Sequence, residues 1–201
     1  MTSSVSMIAQ PIVDLVKQEV VMEEWLCRPQ GMLVESFFSV ENQAELWKRE
    51  AMCLREAMKM KSKNPKSINL SLSSMPYFLE TSWSWDGIIE IVEWAVINRE
   101  RFQEYTGKLK ERGLQVWLDD LTRETWDDWK TEDVDGYKIS FEEAIRCADW
   151  LNLVKQKGKP IIVERIETRE MEKAAIDLGL SLGQGYLYSK QIHSKSIVKS
   201  S

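Results

Sequence analysis

Apolar positions along the chain fall into two alternating textures. Short runs rich in β-branched and aromatic residues are SMIAQPIVDL (6–15), EVVMEEWL (19–26), KSINLSL (66–72), GIIEIVEW (87–94), LQVWLDD (114–120), VDGYKIS (134–140), KPIIVERIE (159–167) and GQGYLYS (183–189). These read as strands. Between several of them lie longer segments whose apolar residues recur at three- and four-residue spacing, the signature of an amphipathic helix. In residues 41–60 that face carries Leu46, Trp47, Ala51, Leu54, Ala57 and Met58, and residues 99–112 and 141–157 read the same way. Strands alternating with helices predict an α/β protein with a mainly parallel sheet, and eight strands predict a TIM-type (β/α)8 barrel.

Local signals refine the boundaries. Ser140 and Glu143 have the spacing of a capping box, which starts a helix at Phe141 and places Lys138 near the end of the preceding strand. Thr125 and Asp128 offer a similar, less specific pair after the two aspartates at 119 and 120. The charged segment from Asn98 to Arg112 reads as the solvated face of a helix.

Composition narrows the function classes. With 201 residues, 43% hydrophobic and 29% charged, the chain suits one compact domain, assigned to residues 1–188, followed by a frayed Ser/Lys-rich tail, 189–201. A net charge of −5 argues against binding polymeric nucleic acid, which needs many Lys and Arg to neutralise phosphates. Cys27, Cys53 and Cys147 are widely spaced and contain no CxxC pair, so neither a disulfide framework nor a zinc site is expected; a reducing cytoplasm fits. No stretch has the form of a leader or a membrane span, so a soluble, unprocessed chain is expected. The single histidine, His193, falls in the tail, and Gly179, Gly183 and Gly185 lack the Gly-Lys-Ser/Thr of a phosphate-binding loop. The tryptophans read as packing residues, and Cys27 as a buried, inert thiol.

The chemistry concentrates at strand ends. Glu24, Asn69, Glu90 with Glu93, Asp119 with Asp120, Lys138, and Glu164 with Glu167 all stand near the C-terminal end of a strand candidate. Barrel active sites lie at that end. Any one such acid is most simply a solvated charge, but their recurrence in strand after strand gathers negative charge. Two carboxylates about 5 Å apart, as at Asp119 and Asp120, repel by roughly 3 kcal/mol at an effective dielectric of about 20. Divalent cations relieve such repulsion. Carboxylates plus one amide oxygen are hard donors, suited to Mg²⁺ or Mn²⁺, and a pair of ions can drive in-line phosphoryl displacement.

The ordered series of motifs resembles the EAL family of cyclic-di-GMP phosphodiesterases over nearly the whole chain. EEWLCR resembles the signature Glu-Ala-Leu-Leu-Arg with Trp25 in place of alanine; INLS, IIEIVE, VWLDD, YKIS, IIVERIET and LGQGYLYSK resemble its later motifs. The resemblance implies a modified (β/α)8 barrel with one antiparallel strand, two Mg²⁺ or Mn²⁺ ions, and hydrolysis of cyclic di-GMP to the linear guanosine dinucleotide. Carried over by position, it implies that Glu24, Asn69, Glu90 and Asp119 bind one ion and Asp120 helps hold the second, while Glu164 completes the acidic site. Lys138 would orient the attacking water, Arg28 would meet a phosphate, Gln184 would support water or ligand, and Glu93 would brace the loop after the aspartates.

The chain also departs from the family pattern. Leu121, Thr122, Arg123 and Glu124 follow the two aspartates where the family usually has Phe-Gly-Thr-Gly, and Ser140 replaces an aspartate. Backbone geometry that relied on those glycines must be strained or rebuilt. In the family that loop couples metal placement to dimerisation, so three functions compete: a cyclic-di-GMP phosphodiesterase, a non-hydrolytic module binding cyclic di-GMP or a regulatory protein partner, and a barrel enzyme acting on another phosphate ester. A homodimer is a further expectation of the resemblance.

Overall fold

The computed structural model describes residues 4–92 and 99–189. Glu93 and the tail from residue 190, with His193, lie outside the described residues. Eight strands hydrogen-bond in chain order as a closed barrel: β1 (Val5–Asp14), β2 (Glu19–Pro29), β3 (Lys66–Ser71), β4 (Ile88–Val92), β5 (Gln115–Leu118), β6 (Gly136–Ser140), β7 (Ile161–Glu164) and β8 (Leu182–Gln184). The helices are α1 (Val34–Phe38), α2 (Gln43–Lys59), α3 (Met75–Glu80), α4 (Arg99–Glu111), α5 (Arg123–Trp129), α6 (Phe141–Arg146), α7 (Ala148–Lys155) and α8 (Arg169–Asp177). All eight expected strands form. Among the described residues no helix is long and apolar enough to cross a membrane.

Two compact units can be described separately. The first comprises Met1–Ala9 and Glu24–Val116. Its β3 and β4 pair in parallel with Asn69 opposite Glu90, so both side chains emerge on one face. Helix α2 starts where the Asn42 side chain accepts a hydrogen bond from the Glu45 N–H, and it buries Ala51, Cys53, Leu54 and Ala57. Glu50 lies in that same buried row. Its carboxylate accepts from the Ser71 backbone N–H at 3.0 Å and from the Ser71 hydroxyl at 3.1 Å, tying the end of β3 to the helix.

The second unit comprises Gln10–Glu23 and Trp117–Ser201. Here β5, β6, β7 and β8 pair in parallel, and β8 pairs antiparallel with β1, setting Ile12 opposite Gln184. A Cβ on Gly136 would collide with the Trp117 indole, so glycine is required where β6 passes that ring. Trp126 packs edge-on against Tyr137 and Trp150, in keeping with tryptophans used for packing.

Three local expectations need correction. Residues 141–157 form two helices, because Cys147 leaves helical geometry at φ −123°, ψ 47° and serves as the end of α6 and the start of α7. Each short helix then turns its own apolar residues inward, Ala144 from one and Trp150, Leu151 and Val154 from the other. The last strand stops at Gln184. Gly185 runs so close to the Ile166 backbone that a Cβ would not fit, and the chain turns there, with Leu187 N–H donating to the Ile166 carbonyl at 3.1 Å. The cap of α5 is Thr122 with Thr125, not Thr125 with Asp128: the Thr122 side chain accepts from Thr125 N–H and Thr125 reciprocates. At Ser140 the expected cap forms with Glu143 N–H at 3.2 Å. The Glu143 carboxylate instead accepts from Arg123 N–H at 2.8 Å.

Candidate functional site

In the first unit the strands bring three of the expected residues together, with Glu24 in the middle of β2 rather than near its end because that strand runs on to Pro29. Glu24 lies on β2, Asn69 on β3 and Glu90 on β4; Glu24 and Glu90 are 3% and 0% exposed. The Asn69 Nδ2 donates to Glu24 Oε1 at 3.0 Å, which turns the amide so that its oxygen faces the other way. That oxygen, Oδ1, is buried and accepts no hydrogen bond among the described residues. A buried amide oxygen without a donor costs roughly 1–3 kcal/mol. It is also a hard oxygen donor of the kind Mg²⁺ and Mn²⁺ take, so the residues present fit such an ion.

Arg28 follows four residues after Glu24, still on β2. Its Nη1 donates to the Cys27 carbonyl at 2.8 Å, and no carboxylate pairs with it among the described residues. The guanidinium borders a cavity of about 230 Å³, whose wall also includes Trp25, Phe38, Glu50, Asn69 and Ser71. A cation and polar groups beside an aromatic wall suit an anionic ligand carrying a flat ring.

In the second unit the strand ends bring Asp119, Asp120, Lys138 and Glu164 together. One carboxylate oxygen from each of the three acids lies within 4.8 Å of the other two. Lys138 Nζ stands 2.9 Å from Glu164 Oε1 and 3.3 Å from Asp119 Oδ1, and its side chain is 1% exposed. A buried ammonium survives there because two carboxylates surround it. The Lys138 carbonyl accepts from Leu121 N–H at 2.9 Å, which holds the chain just past the aspartates against β6.

The repulsion between Asp119 and Asp120 is thus eased by the protein's own cations. Asp119 pairs with Lys138, and Asp120 turns outward, 3.7 Å from Arg165. Asp120 adopts φ 48° and Arg165 φ 61°, left-handed values that reverse the chain at each strand end. Aspartate tolerates that region better than most side chains. Leu121 to Glu124 need no glycine: none takes a positive φ, and the Thr122 cap, the Arg123–Glu143 hydrogen bond and a 3.2 Å Glu124–Arg146 ion pair fix the loop. The geometry is rebuilt rather than strained.

Gln184 ends β8 opposite Ile12 and is 2% exposed. Glu93 lies outside the described residues. The sequence reading missed Glu50 and Arg165. Glu50 had a signal: it occupies a position of the α2 apolar row, four residues after Leu46 and four before Leu54, where a charge is out of place. Arg165 had none, because its role depends on the loop reversing at a positive φ.

The EAL domain family model matches residues 2–191. No curated protein sequence matches the chain. Among solved structures, an EAL domain protein from Listeria monocytogenes superposes with a TM-score of 0.74 at 16% identity, covering 97% of this chain and 93% of that one. Bacillus subtilis YkuI, a protein with an EAL domain solved with its substrate c-di-GMP and calcium, gives a TM-score of 0.77 at 19% identity, covering 91% of this chain and 53% of YkuI. Klebsiella pneumoniae BlrP1, in a manganese and cyclic-di-GMP complex, gives 0.73 at 19%, covering 92% of this chain and 55% of BlrP1. At these identities the likeness is one of fold.

Proposed function

Since the chain belongs to the EAL domain family, we propose that it hydrolyses cyclic di-GMP to the linear guanosine dinucleotide with Mg²⁺ or Mn²⁺. The observation that carries this reading is the buried, undonated Asn69 Oδ1 beside Glu24 and Glu90. A purely adhesive domain gains nothing from keeping a hard oxygen donor and acids buried. Solved EAL proteins holding calcium or manganese with the dinucleotide support the same ligand and cofactor class.

Glu24, Asn69, Glu90, Asp119, Asp120 and Glu164 would hold the cations. When bound, these supply Lewis-acid activation of water and neutralise charge at the phosphate. Lys138, fixed by Asp119 and Glu164, donates a hydrogen bond to the attacking water and sets its direction. Arg28 meets a phosphate oxygen through its guanidinium, and Gln184 steadies water or ligand. Glu93 is assigned to loop support by resemblance alone.

The test is direct. Purified protein with Mn²⁺ or Mg²⁺ converts cyclic di-GMP to the linear dinucleotide, resolved by chromatography, and Glu24→Ala abolishes conversion. No hydrolysis with either ion rejects the reading. The rebuilt loop at Leu121–Glu124 favours one rival, a module that binds cyclic di-GMP or a protein partner without cleaving it. Metal-independent binding of the dinucleotide by a protein that never hydrolyses it selects that rival.

A further inference from the structure

The turn after β5 is held at every backbone N–H from Asp120 to Arg123. The Asp120 N–H donates to the Asp119 carboxylate at 3.1 Å, the Leu121 N–H to the Lys138 carbonyl at 2.9 Å, the Thr122 N–H to the Thr125 hydroxyl at 3.3 Å and the Arg123 N–H to Glu143 Oε1 at 2.8 Å. Three of these acceptors belong to the turn, to α5 or to the β6 backbone. The fourth is a side chain reaching across from α6.

Glu143 is 7% exposed, and its place in the sequence predicts a different partner. A glutamate three residues after a serine cap ordinarily turns back to the N–H of the cap itself. Glu143 gives its carboxylate to the neighbouring turn instead. Arg123 opens α5, where the first N–H groups have no acceptor inside the helix, so this contact satisfies a donor that the helix cannot. Arg146, three residues on, pairs with the same carboxylate and reaches Glu124 at 3.2 Å. Its charge offsets the burial of Glu143 and ties the turn to α6 a second time.

We propose that Glu143 is a positioning residue for the acidic cluster: it latches Arg123 to α6 and so sets the Asp119–Asp120 turn, keeping those two carboxylates and Glu164 facing one divalent cation. The role rests on the metal-dependent reading of this site. One oxygen from each acid lies within 4.8 Å of the other two. Asp120 takes its place there in a left-handed backbone, φ 48°, which an L-residue holds at a cost. Cutting the latch lets that cost, together with the repulsion between the acids, widen the turn.

The test titrates Mn²⁺ into the full chain, with free ion counted by electron paramagnetic resonance. Glu143→Ala should bind at least one Mn²⁺ about 10–100-fold more weakly, the usual loss when a group that holds metal ligands in place is removed. Glu143→Gln, which still offers Arg123 an acceptor oxygen, should recover most of that loss. Lys155→Ala, which cuts a 2.9 Å hydrogen bond to the Leu178 carbonyl elsewhere in the same unit, should bind Mn²⁺ as the native chain does. In EDTA, hydrogen exchange over residues 120–123 should quicken in Glu143→Ala and not in Lys155→Ala. Native Mn²⁺ affinity in Glu143→Ala, no recovery in Glu143→Gln, an equal loss in Lys155→Ala or unaltered exchange each overturns the proposal. A native chain that takes up no Mn²⁺ rejects the metal-dependent reading and this role with it, whereas native uptake with an unaltered Glu143→Ala rejects the latch alone.

Discussion

Lys138 Nζ lies 2.9 Å from Glu164 Oε1, a contact between neighbouring strands β6 and β7 that buries the ammonium almost completely. With Asp119 on its other side, Lys138 is the counter-charge for two carboxylates. Lys138→Met removes that charge and leaves the acids facing each other. Breaking a buried pair costs about 3–5 kcal/mol. Guanidinium unfolding in EDTA should show a loss of that size, and a smaller loss with Mn²⁺ present. Hydrolysis should fall by about 10²–10⁴, the range of a lost proton-handling group.

Asn69 separates metal binding from fold maintenance. Asn69→Leu deletes both the oxygen that lacks a donor and the N–H that Glu24 accepts. The variant should lose the rise in Tm that Mn²⁺ gives the native protein through binding to the folded state. Differential scanning calorimetry with and without Mn²⁺ checks this; an unchanged rise would remove Asn69 from the ligand set.

Glu50 is a structural anchor that holds the end of β3 two residues beyond Asn69. Glu50→Ala strands the Ser71 backbone N–H, and about 2–3 kcal/mol of stability should go with it. Urea unfolding measures the loss, and Glu50→Gln, which still accepts hydrogen bonds, should recover part of it.

A second network sets a pH dependence. Burial pushes the Glu172 carboxyl up, but hydrogen bonds from Arg169, Gln18 and Tyr188 outweigh it and hold the group below its ordinary 4.5. A carboxyl lowered on folding contributes stability above its unfolded pKa, and that contribution disappears as pH falls through the folded value. Tyr188→Phe removes the 3.1 Å O–H bond to Glu172. The variant should be weaker by about 1 kcal/mol at pH 7. The gap should narrow as the medium is acidified below pH 4.5, measured by urea midpoints across that range.

Much of this architecture was legible in the residues. Period-two and period-3.6 apolar patterns located the strands and the long helices, because burial on one face enforces them. That Glu24, Asn69 and Glu90 belong on strands could be read because β-strands place alternate residues on one face, although Glu24 sits mid-strand. Other features were hidden. The break at Cys147 carries no proline or glycine to mark it. The turn after Gln184 looked like continued strand, since tyrosine and leucine follow it; only the close approach of Gly185 to Ile166 reveals the reversal. Divalent cations were the expected relief for Asp119 and Asp120, and the structure adds Lys138 and Arg165 as counter-charges that no local pattern announced.

A crystal of the protein grown with Mn²⁺ and cyclic di-GMP, measured at the manganese absorption edge, tests the central claim most directly. The account predicts anomalous peaks within coordination distance of Asn69 Oδ1 and of the Asp119 and Asp120 carboxylates. Bound dinucleotide with no anomalous peak against those oxygens would contradict it.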